Sequence, residues 1–278
     1  MSSATRPWGF IGLGEMGEPM VANLLHRGLG VIAFDQDASR VQLAAARGAT
    51  AASSVAEVAR GADVISICVR QGSQLDAVLD DGLVEHASAD TTVLIHSTVG
   101  RGVCQAAAAR LSSRGAAVLD APVSGMRMAA EAGTLAFFVG GAQDVVDRVR
   151  YGLDAMGRSV VRVGDVGSGQ IAKVANNLVA FGTAAVVHEA TELARAAGVD
   201  EERLLAALAE GSGRSWAVEN WAFLRREWID SQPGGATAVR AIIEKDLTLA
   251  AETAAEVGTD APFAALAGQI APRVLSGE

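Results

Sequence analysis

Short apolar runs alternate with Ala-rich helical stretches from residue 8 to about residue 163. Seven of these runs have the length and the composition of buried strands. In chain order they read WGFIGLG, GVIAFD, DVISICV, TTVLIHST, AAVLDAPV, LAFFVGG and SVVRVG. Strands that alternate with helices predict βαβ units, and therefore an α/β fold built on a doubly wound parallel sheet.

The pattern changes after Gly167. Residues 168 to about 196 share one continuous helical periodicity, which at about 1.5 Å per residue gives a helix of roughly 40 Å. The segments beyond it are helix and turn, without a convincing strand. We therefore expect a sheet domain over residues 1–165, an interdomain helix over 166–196 and an all-α domain over 197–278.

The composition of the chain limits the kinds of ligand and partner that it can bind. The chain has 278 residues, half of them hydrophobic, and a formal net charge of −9, which argues against a nucleic-acid surface. No apolar run looks long enough to span a bilayer, and the N-terminus lacks a secretory pattern, so we expect a cytoplasmic protein. The apolar second half predicts a homo-oligomer, a dimer or a tetramer, that packs through its C-terminal helices. A small molecule is the expected ligand.

The cysteines and histidines do not indicate a metal site. Cys68 and Cys104 give no ligand spacing and no disulfide framework, and four histidines are scattered without pairing. Packing in the core is the expected role of both cysteines.

A glycine motif lies between the first predicted strand and the following helix. Gly12, Gly14 and Gly17 have the G-x-G-x-x-G spacing within GFIGLGEMGEPM. The first glycine permits a tight turn, the second lets a pyrophosphate approach the backbone, and the third lets helix and strand pack closely. Free N–H groups at the helix N-terminus bind phosphate. The motif in this context predicts a dinucleotide site, the alternative being a purely structural turn.

Asp35 ends the second predicted strand, 23 residues after Gly12. A carboxylate at this spacing holds the adenosine ribose hydroxyls and repels a 2′-phosphate. A helix cap is the alternative role, and it suits Asp37 or Ser39 better. No arginine follows Asp35 directly, and Arg40 is assigned to neither cofactor, so NAD is favoured over NADP.

Lys173 interrupts the apolar helix VGSGQIAKVANNLVAF. Lys173 and Asn177 are four residues apart and share a helix face, with Gly169 one turn below and Asn176 nearby. In a partly apolar cleft the charged form of a lysine is disfavoured, which suits a proton donor and acceptor. The alternative is a surface lysine whose ammonium reaches past the apolar stripe to solvent.

Four stretches resemble the motifs of the β-hydroxyacid dehydrogenase family, to which 3-hydroxyisobutyrate dehydrogenase belongs. They are GFIGLGEMGEPM, DAPVSGMRMAAEAGTL, GSGQIAKVANN and KDLTLA, at residues 9–20, 120–135, 167–177 and 245–250. The resemblance spans nearly the whole chain. It implies an N-terminal Rossmann-type domain, a helical C-terminal domain that oligomerises, and reversible NAD(P)-linked oxidation of a 3-hydroxy acid to its semialdehyde.

The resemblance also implies roles for individual residues. Lys173 would exchange the hydroxyl proton as the catalytic residue, with Asn177 beside it. Ser124 and Gly125 would hold the substrate carboxylate. The substrate-binding set implied by the resemblance is Ser124, Gly125, Met126, Lys173, Asn177 and Asp246. The cofactor-binding set is Gly12, Leu13, Gly14, Met16, Gly17, Asp35, Val69, Thr98 and Lys245, with Lys245 and Asp246 closing the cleft.

The chain departs from the family pattern near the carboxylate loop. Met126 stands where the family usually has a second glycine after VSG, and Ala129 replaces another glycine. The loop is expected to be bulkier and less free to adopt positive φ. Arg127 either binds a second anionic group of a longer substrate or is a solvated loop arginine. Ala238 stands where members often have a phenylalanine. These changes concern the substrate rather than the reaction.

Three alternative functions remain open at this stage. One is an NADPH-dependent reductase of glyoxylate or succinic semialdehyde. Another is an imine reductase-like enzyme, which Lys173 opposes because those enzymes generally lack a lysine here. The third is a non-catalytic nucleotide-binding scaffold, opposed by Lys173 and by the acidic charge.

Overall fold

The computed structural model describes residues 6–232 and 234–276. The chain divides into two compact units, Met1–Lys173 and Val174–Glu278. The first unit is α/β and the second is helical.

The described part of the first unit contains a sheet of nine strands in the order β3-β2-β1-β4-β5-β6-β8-β7, with β9 paired to β8. The strands are β1 (Trp8–Ile11), β2 (Val31–Phe34), β3 (Thr50–Ala51), β4 (Val64–Ile67), β5 (Thr92–Ile95), β6 (Ala117–Asp120), β7 (Val123–Ser124), β8 (Leu135–Gly140) and β9 (Gly157–Gly164). All seven predicted strands are present, and the two-residue strands β3 and β7 are additional.

The predicted parallel sheet is present, with one antiparallel strand on one side. Strands β1 to β6 are parallel, whereas β8 is antiparallel to β6 and to β7. A parallel return needs a crossover that carries the chain back along the sheet, usually through a helix. The connection from β6 to β8 holds only the two-residue β7 and a six-residue helix, Met126–Glu131. Strand β9 is again parallel to β8, because a 14-residue helix joins them.

Helices cover both faces of this sheet. They are α1 (Gly17–His26), α2 (Ala38–Ala46), α3 (Val55–Gly61), α4 (Gly72–Val78), α5 (Val84–His86), α6 (Arg101–Ser112), α7 (Met126–Glu131), α8 (Gln143–Met156) and the start of α9 (Ser168–Ala196). A wide turn, Leu79–Leu83, separates α4 from α5, with Gly82 at a φ of 95°. Asp37 caps α2 and Ser54 caps α3, each side chain accepting a backbone N–H of the first turn.

Two apolar clusters form the core of the first unit. One includes Phe10, Leu24 and Phe137, and the other includes Ile65 and Leu111, all of them fully buried. The side chains of a strand point alternately to opposite faces, so neighbouring positions of one strand supply both clusters. This two-sided core fixes the strand ends that carry the candidate site.

The second unit continues α9 and adds further helices. They are α10 (Glu201–Glu210), α11 (Trp216–Glu219), α12 (Trp228–Ser231), α13 (Gly235–Glu256) and α14 (Pro262–Ser276), with a π-helical turn at Phe223–Glu227. The segment SWAVENWAFLRREWI has helical periodicity, but it does not form one regular helix. Asn220 ends α11 with a φ of −118°. Trp221 and Trp228 are buried, and the ring of Trp228 stacks on Phe181 at 6.0 Å.

Helix α9 has the predicted bounds, Ser168–Ala196. The expectation that no stretch is long enough to span a bilayer is wrong by length and composition, since this helix meets both criteria. Core helices of proteins outside membranes meet the same criteria. The buried polar residues of α9 are satisfied within their own units, since Gln170 bonds the loop after β5 and Asn177 bonds Asp246.

Candidate active site

The glycine loop joins β1 to α1. Gly12 has a φ of 93°, and a Cβ there would overlap the carbonyl oxygen of Cys68. A Cβ on Gly17 would overlap the carbonyl oxygen of Gly12. At Gly14, by contrast, the nearest group among the described residues is Arg40 Nη1, 3.5 Å from the position of a Cβ. The protein leaves no room for a side chain at Gly12 or Gly17, whereas the surface beside Gly14 is open to a ligand.

Asp35 is tied to this loop by its carboxylate. Its Oδ2 accepts the backbone N–H of Leu13 at 2.6 Å, and its Oδ1 accepts that of Asp37 at 2.8 Å. The side chains of Leu13 and Met16 pack in or against the core, so these two residues face the loop through their backbone.

Arg40 lies beside the same carboxylate. Its Nη1 is 3.8 Å from Asp35 Oδ2, and its Nε is 3.4 Å from Asp37 Oδ2. The sequence alone assigns Arg40 to neither cofactor. In the structure its side chain is 41% exposed, and its guanidinium lies beside Asp35, where an adenosine ribose is predicted.

The ends of β4 and β5 are joined by a side chain. Ser97 is buried, and its Oγ accepts the backbone N–H of Val69 at 2.7 Å. Val69 and Thr98, both predicted to contact the cofactor, are partly buried beside this bond. The bond fixes the two strand ends relative to each other.

His96 connects β5 to the loop that follows β6. Its Nε2 lies 2.8 Å from Ser66 Oγ, its Nδ1 lies 2.9 Å from the carbonyl oxygen of Ala121, and Trp8 Nε1 donates to Ser66 Oγ. Burial lowers the pKa of His96 to about 4. The ring is therefore neutral at neutral pH, with Nδ1 donating to Ala121 and Nε2 accepting from the Ser66 hydroxyl.

Asp120, the last residue of β6, caps the N-terminus of α9. Its Oδ1 accepts the N–H of Gly167 at 2.6 Å, and its Oδ2 accepts that of Gln170 at 2.8 Å. Burial raises the pKa of Asp120, while these N–H groups oppose the rise by stabilising the carboxylate. A Cβ on Gly140 or Gly169 would overlap Asp120, so both flanking positions must be glycine-sized.

Gln170 makes the second attachment of α9. Its Oε1 accepts the N–H of Val99 at 3.0 Å and that of Gly100 at 3.3 Å, and its Nε2 donates to the carbonyl of Ser97 at 2.9 Å. The side chain is fully buried. The first turn of α9 is therefore joined to the loop after β5 as well as to β6. Lys173, partly buried, lies one turn further along this helix.

The predicted carboxylate loop follows β6. Ser124 is partly buried, and Gly125 is exposed with a φ of 133°. Met126 begins α7 with a φ of 58°, so the residue that replaces the family's glycine does adopt positive φ. Arg127 is paired, with its Nε 2.7 Å from Glu131 Oε1.

The predicted residues of the second unit contact one another. Asn177 is buried, and its Nδ2 donates to Asp246 Oδ2 at 2.6 Å. Lys245 Nζ lies 2.7 Å from Asp246 Oδ1. An amide, a carboxylate and an ammonium thus form one polar group between α9 and α13.

Several of the predicted residues lie at one edge of the sheet. Gly12, Asp35, Val69 and Thr98 follow β1, β2, β4 and β5, and Ser124 lies in β7, four residues after the end of β6. Strands β1, β2, β4, β5 and β6 are parallel, so their carboxyl ends lie at the same edge, where ligands bind in open α/β sheets. Asp120, Gln170 and His96 are functional residues that the sequence alone does not reveal. Asp120 and Gln170 lie in two of the family motifs and His96 lies in the strand TTVLIHST, but the hydrogen-bond partners of all three are distant in sequence.

The fold and the glycine loop define the class of protein. The strand order 3-2-1-4-5-6 with a G-x-G-x-x-G turn after β1 is that of a Rossmann-type dinucleotide-binding protein. Within the described ranges, no group of three His, Cys, Asp or Glu side chains is arranged to hold a metal ion.

Comparison with known proteins identifies the family. Residues 8–164 match the NAD binding domain of 6-phosphogluconate dehydrogenase, and residues 167–277 match the NAD-binding domain of NADP-dependent 3-hydroxyisobutyrate dehydrogenase. The chain is 36% identical to an NAD-dependent L-serine dehydrogenase of Pseudomonas aeruginosa, covering 93% of this chain and 88% of that protein. It is 33% identical to 2-(hydroxymethyl)glutarate dehydrogenase of Eubacterium barkeri, covering 94% and 87%.

A solved structure agrees. The 3-hydroxyisobutyrate dehydrogenase of Mycobacterium tuberculosis with L-serine has a TM-score of 0.88 and 31% identity, and the match covers 98% of this chain and 97% of that one. The chain belongs to the β-hydroxyacid dehydrogenase family. It is an NAD(P)-dependent oxidoreductase that acts on the CH–OH group of hydroxy acids.

Proposed function

We propose that this chain reversibly oxidises a 3-hydroxy acid to its semialdehyde, with Lys173 as the general acid and base. The observation that supports this role is the double attachment of the first turn of α9, by Asp120 and by Gln170. Two fully buried polar side chains at one helix end are costly unless every bond is made. They hold the lysine's helix to the strand ends that a substrate would meet.

The chemistry follows from the residue types. Oxidation takes a hydride from the carbinol carbon and a proton from its oxygen, and a bound nicotinamide supplies the hydride acceptor. Lys173 Nζ accepts the hydroxyl proton as the C=O bond forms, and the ammonium returns it in the reverse direction. The same ammonium stabilises negative charge that develops on the oxygen. Ser124 and the backbone of Gly125 hold the carboxylate and orient the chain of the substrate.

The glycine loop fits a dinucleotide. The open surface beside Gly14 admits a pyrophosphate, and the loop leads into the N-terminus of α1. Asp35 supports NAD as the preferred cofactor, since its carboxylate would hydrogen-bond the ribose hydroxyls and repel a 2′-phosphate. Arg40 is 3.8 Å from Asp35, so it lowers that repulsion and permits some use of NADP.

The names of the relatives support a substrate class. L-Serine, 3-hydroxyisobutyrate and 2-(hydroxymethyl)glutarate all carry a hydroxymethyl group on the carbon next to a carboxylate. They differ in the other substituent of that carbon, which is an ammonium, a methyl or a carboxyethyl group. We propose that the substrate of this chain shares the common part, and that Asn177 and Asp246 are among the residues that bind it.

Exposed apolar residues on α9 bear on the oligomeric state that we propose. Val179, Val186 and Leu193 are exposed on α9 at seven-residue spacing, which supports a homodimer or homotetramer that covers this stripe. We propose a cytoplasmic location.

A substrate panel tests the function. The purified enzyme is assayed by nicotinamide absorbance with 3-hydroxyisobutyrate, L-serine and 2-(hydroxymethyl)glutarate, and with glyoxylate and succinic semialdehyde in the reducing direction. Oxidation of at least one 3-hydroxy acid, faster than reduction of glyoxylate or succinic semialdehyde, is expected. Activity confined to the last two would contradict the proposal and favour a reductase.

A further inference from the structure

Met126 is the one residue other than glycine that has a positive φ within residues 6–232 and 234–276, at 58°. In this conformation the Cβ of any L-residue crowds its own backbone, so the position favours glycine. Met126 has an apolar side chain that is partly buried. The chain therefore keeps a strained methionine at a point where glycine would relieve the strain.

Contacts of the neighbouring residues restrain the turn that contains Met126. A Cβ on Gly125 would overlap the Cβ of Ala129, so the preceding turn is closed. Asn23 Nδ2 on α1 donates to the carbonyl of Ala130 at 2.6 Å, which anchors α7 to the helix that follows the glycine loop. Such anchoring is the condition under which backbone strain persists.

The guanidinium of Arg127, the next residue along the chain, is already paired with carboxylates. Arg127 lies 2.7 Å from Glu131 and 3.9 Å from Glu18, the acidic residue in the first turn of α1. A second carboxylate on a substrate would compete with both of these acids for the guanidinium. Met126, which follows Ser124 and Gly125, carries an uncharged thioether, and the charge on the next residue, Arg127, is paired.

We propose that Met126 selects the substituent on the carbon next to the substrate carboxylate, favouring a small apolar group over an ammonium or a second carboxylate. This inference rests on the proposed function, in which Ser124 and Gly125 hold the carboxylate. A thioether packs well against a methyl group but cannot replace the water around a charge. The strain at Met126 is retained because a glycine in its place would expose the carboxylate loop to water.

The test compares three substrates in four proteins. The substrates are 3-hydroxyisobutyrate, L-serine and 2-(hydroxymethyl)glutarate, and kcat/KM is measured for each. The proteins are the wild type, Met126→Ala, Met126→Gly and the control Met128→Ala. Met128 is two residues further along α7 and 55% exposed, so its truncation removes a methionine without touching the proposed pocket.

The wild type is expected to prefer 3-hydroxyisobutyrate to L-serine by about tenfold or more, the order that one apolar contact supplies in a pocket. Both Met126 variants should reduce this preference by about tenfold, and Met128→Ala should leave it unchanged. Dinucleotide affinity, followed by nicotinamide fluorescence, should be the same in all four proteins.

Thermal unfolding separates strain from selectivity. Both Met126 variants lose the side chain, but only glycine relieves the positive φ, so Met126→Gly should melt about 2 °C above Met126→Ala. A Met126→Gly variant that melts no higher than Met126→Ala would overturn the claim that strain is retained there.

The kinetic outcomes distinguish this inference from the function on which it rests. Oxidation of the three acids with a preference that neither Met126 variant alters would overturn the inference alone. A wild type that binds a dinucleotide but oxidises none of the three would overturn both.

Discussion

Different interactions determine the shape of the glycine loop and the position of the first turn of α9. In the loop, backbone sterics decide the shape, because a side chain on Gly12 or Gly17 would overlap a carbonyl oxygen close by. In the first turn of α9, buried hydrogen bonds decide the position, because Asp120 and Gln170 connect segments that are 47 to 73 residues apart in sequence. The first is a local construction and the second depends on the finished fold.

This difference assigns separate tasks to the two regions. The loop offers an open surface and a fixed turn, so changes there should alter which dinucleotide binds. The α9 turn sets where Lys173 lies, so changes there should alter turnover. Each of the following variants tests whether one property moves without the other.

Replacement of Lys173 should have the largest effect. Lys173→Ala is expected to lower kcat by about 10² to 10⁴, the usual contribution of a general acid or base. Lys173→Arg keeps the positive charge but does not release a proton, so it should be nearly as slow. Dinucleotide affinity, measured by fluorescence titration, should change little in either. An arginine variant with near wild-type turnover would mean that only the charge matters.

Changes at Asp35, which bonds the glycine loop at Leu13, should alter cofactor preference. Asp35→Ser combined with Gln36→Arg removes the repulsion of a 2′-phosphate and adds a guanidinium. The expected shift towards NADP is about 30- to 150-fold in kcat/KM, taking a charged hydrogen bond as about 1.5 to 3 kcal/mol. Arg40→Ala is the matched single variant and should shift the preference towards NAD. A wild type that already prefers NADPH would contradict the role given to Asp35.

Loosening the α9 turn should lower turnover without affecting cofactor binding. Gln170→Leu removes three hydrogen bonds to the loop after β5. We expect kcat to fall about tenfold, because a displacement of Lys173 by about 1 Å can lower turnover by this factor or more. Dinucleotide affinity should be retained. Gln143→Leu is the control, since Gln143 is an exposed glutamine of α8 whose amide bonds Asp147 on the same helix. Equal losses of kcat and of cofactor affinity would show that Gln170 has only a general structural role.

The smallest effect on activity is expected at His96, where the readout is stability. Its pKa is about 4 in the folded chain against an ordinary value of 6.5. The unfolded chain takes up this proton first as the pH falls, so the free energy of unfolding decreases between pH 6.5 and pH 4, by about 3 kcal/mol from this group. His96→Gln removes the titration.

The stability deficit of His96→Gln relative to the wild type, measured by urea unfolding, should therefore be largest above pH 6.5 and shrink towards pH 4. A deficit that stays constant with pH would mean that the folded protein accepts a proton on His96 as readily as the unfolded chain does.

Much of the fold follows from the sequence, for reasons that differ between regions. The bounds of α9 and the seven main strands follow from hydrophobic periodicity, which local burial imposes directly. The antiparallel β8 does not, because its direction depends on the pairing of β7 with β8, which periodicity does not reveal. The roles of Asp120 and Gln170 cannot be predicted from the sequence, because long-range hydrogen bonds produce no periodic pattern. The position of Arg40 cannot be predicted either, because only the fold brings its guanidinium beside Asp35.

The central claim is that Lys173 exchanges a proton with the hydroxyl of a 3-hydroxy acid held by Ser124. A crystal structure of the enzyme with a dinucleotide and an unreactive 3-hydroxy acid analogue tests it most directly. Lys173 Nζ is predicted to lie about 2.6 to 3.2 Å from the hydroxyl oxygen, the distance that proton transfer requires, with the carboxylate at Ser124 and Gly125. A complex in which the carboxylate binds elsewhere and another side chain contacts the hydroxyl would contradict the claim.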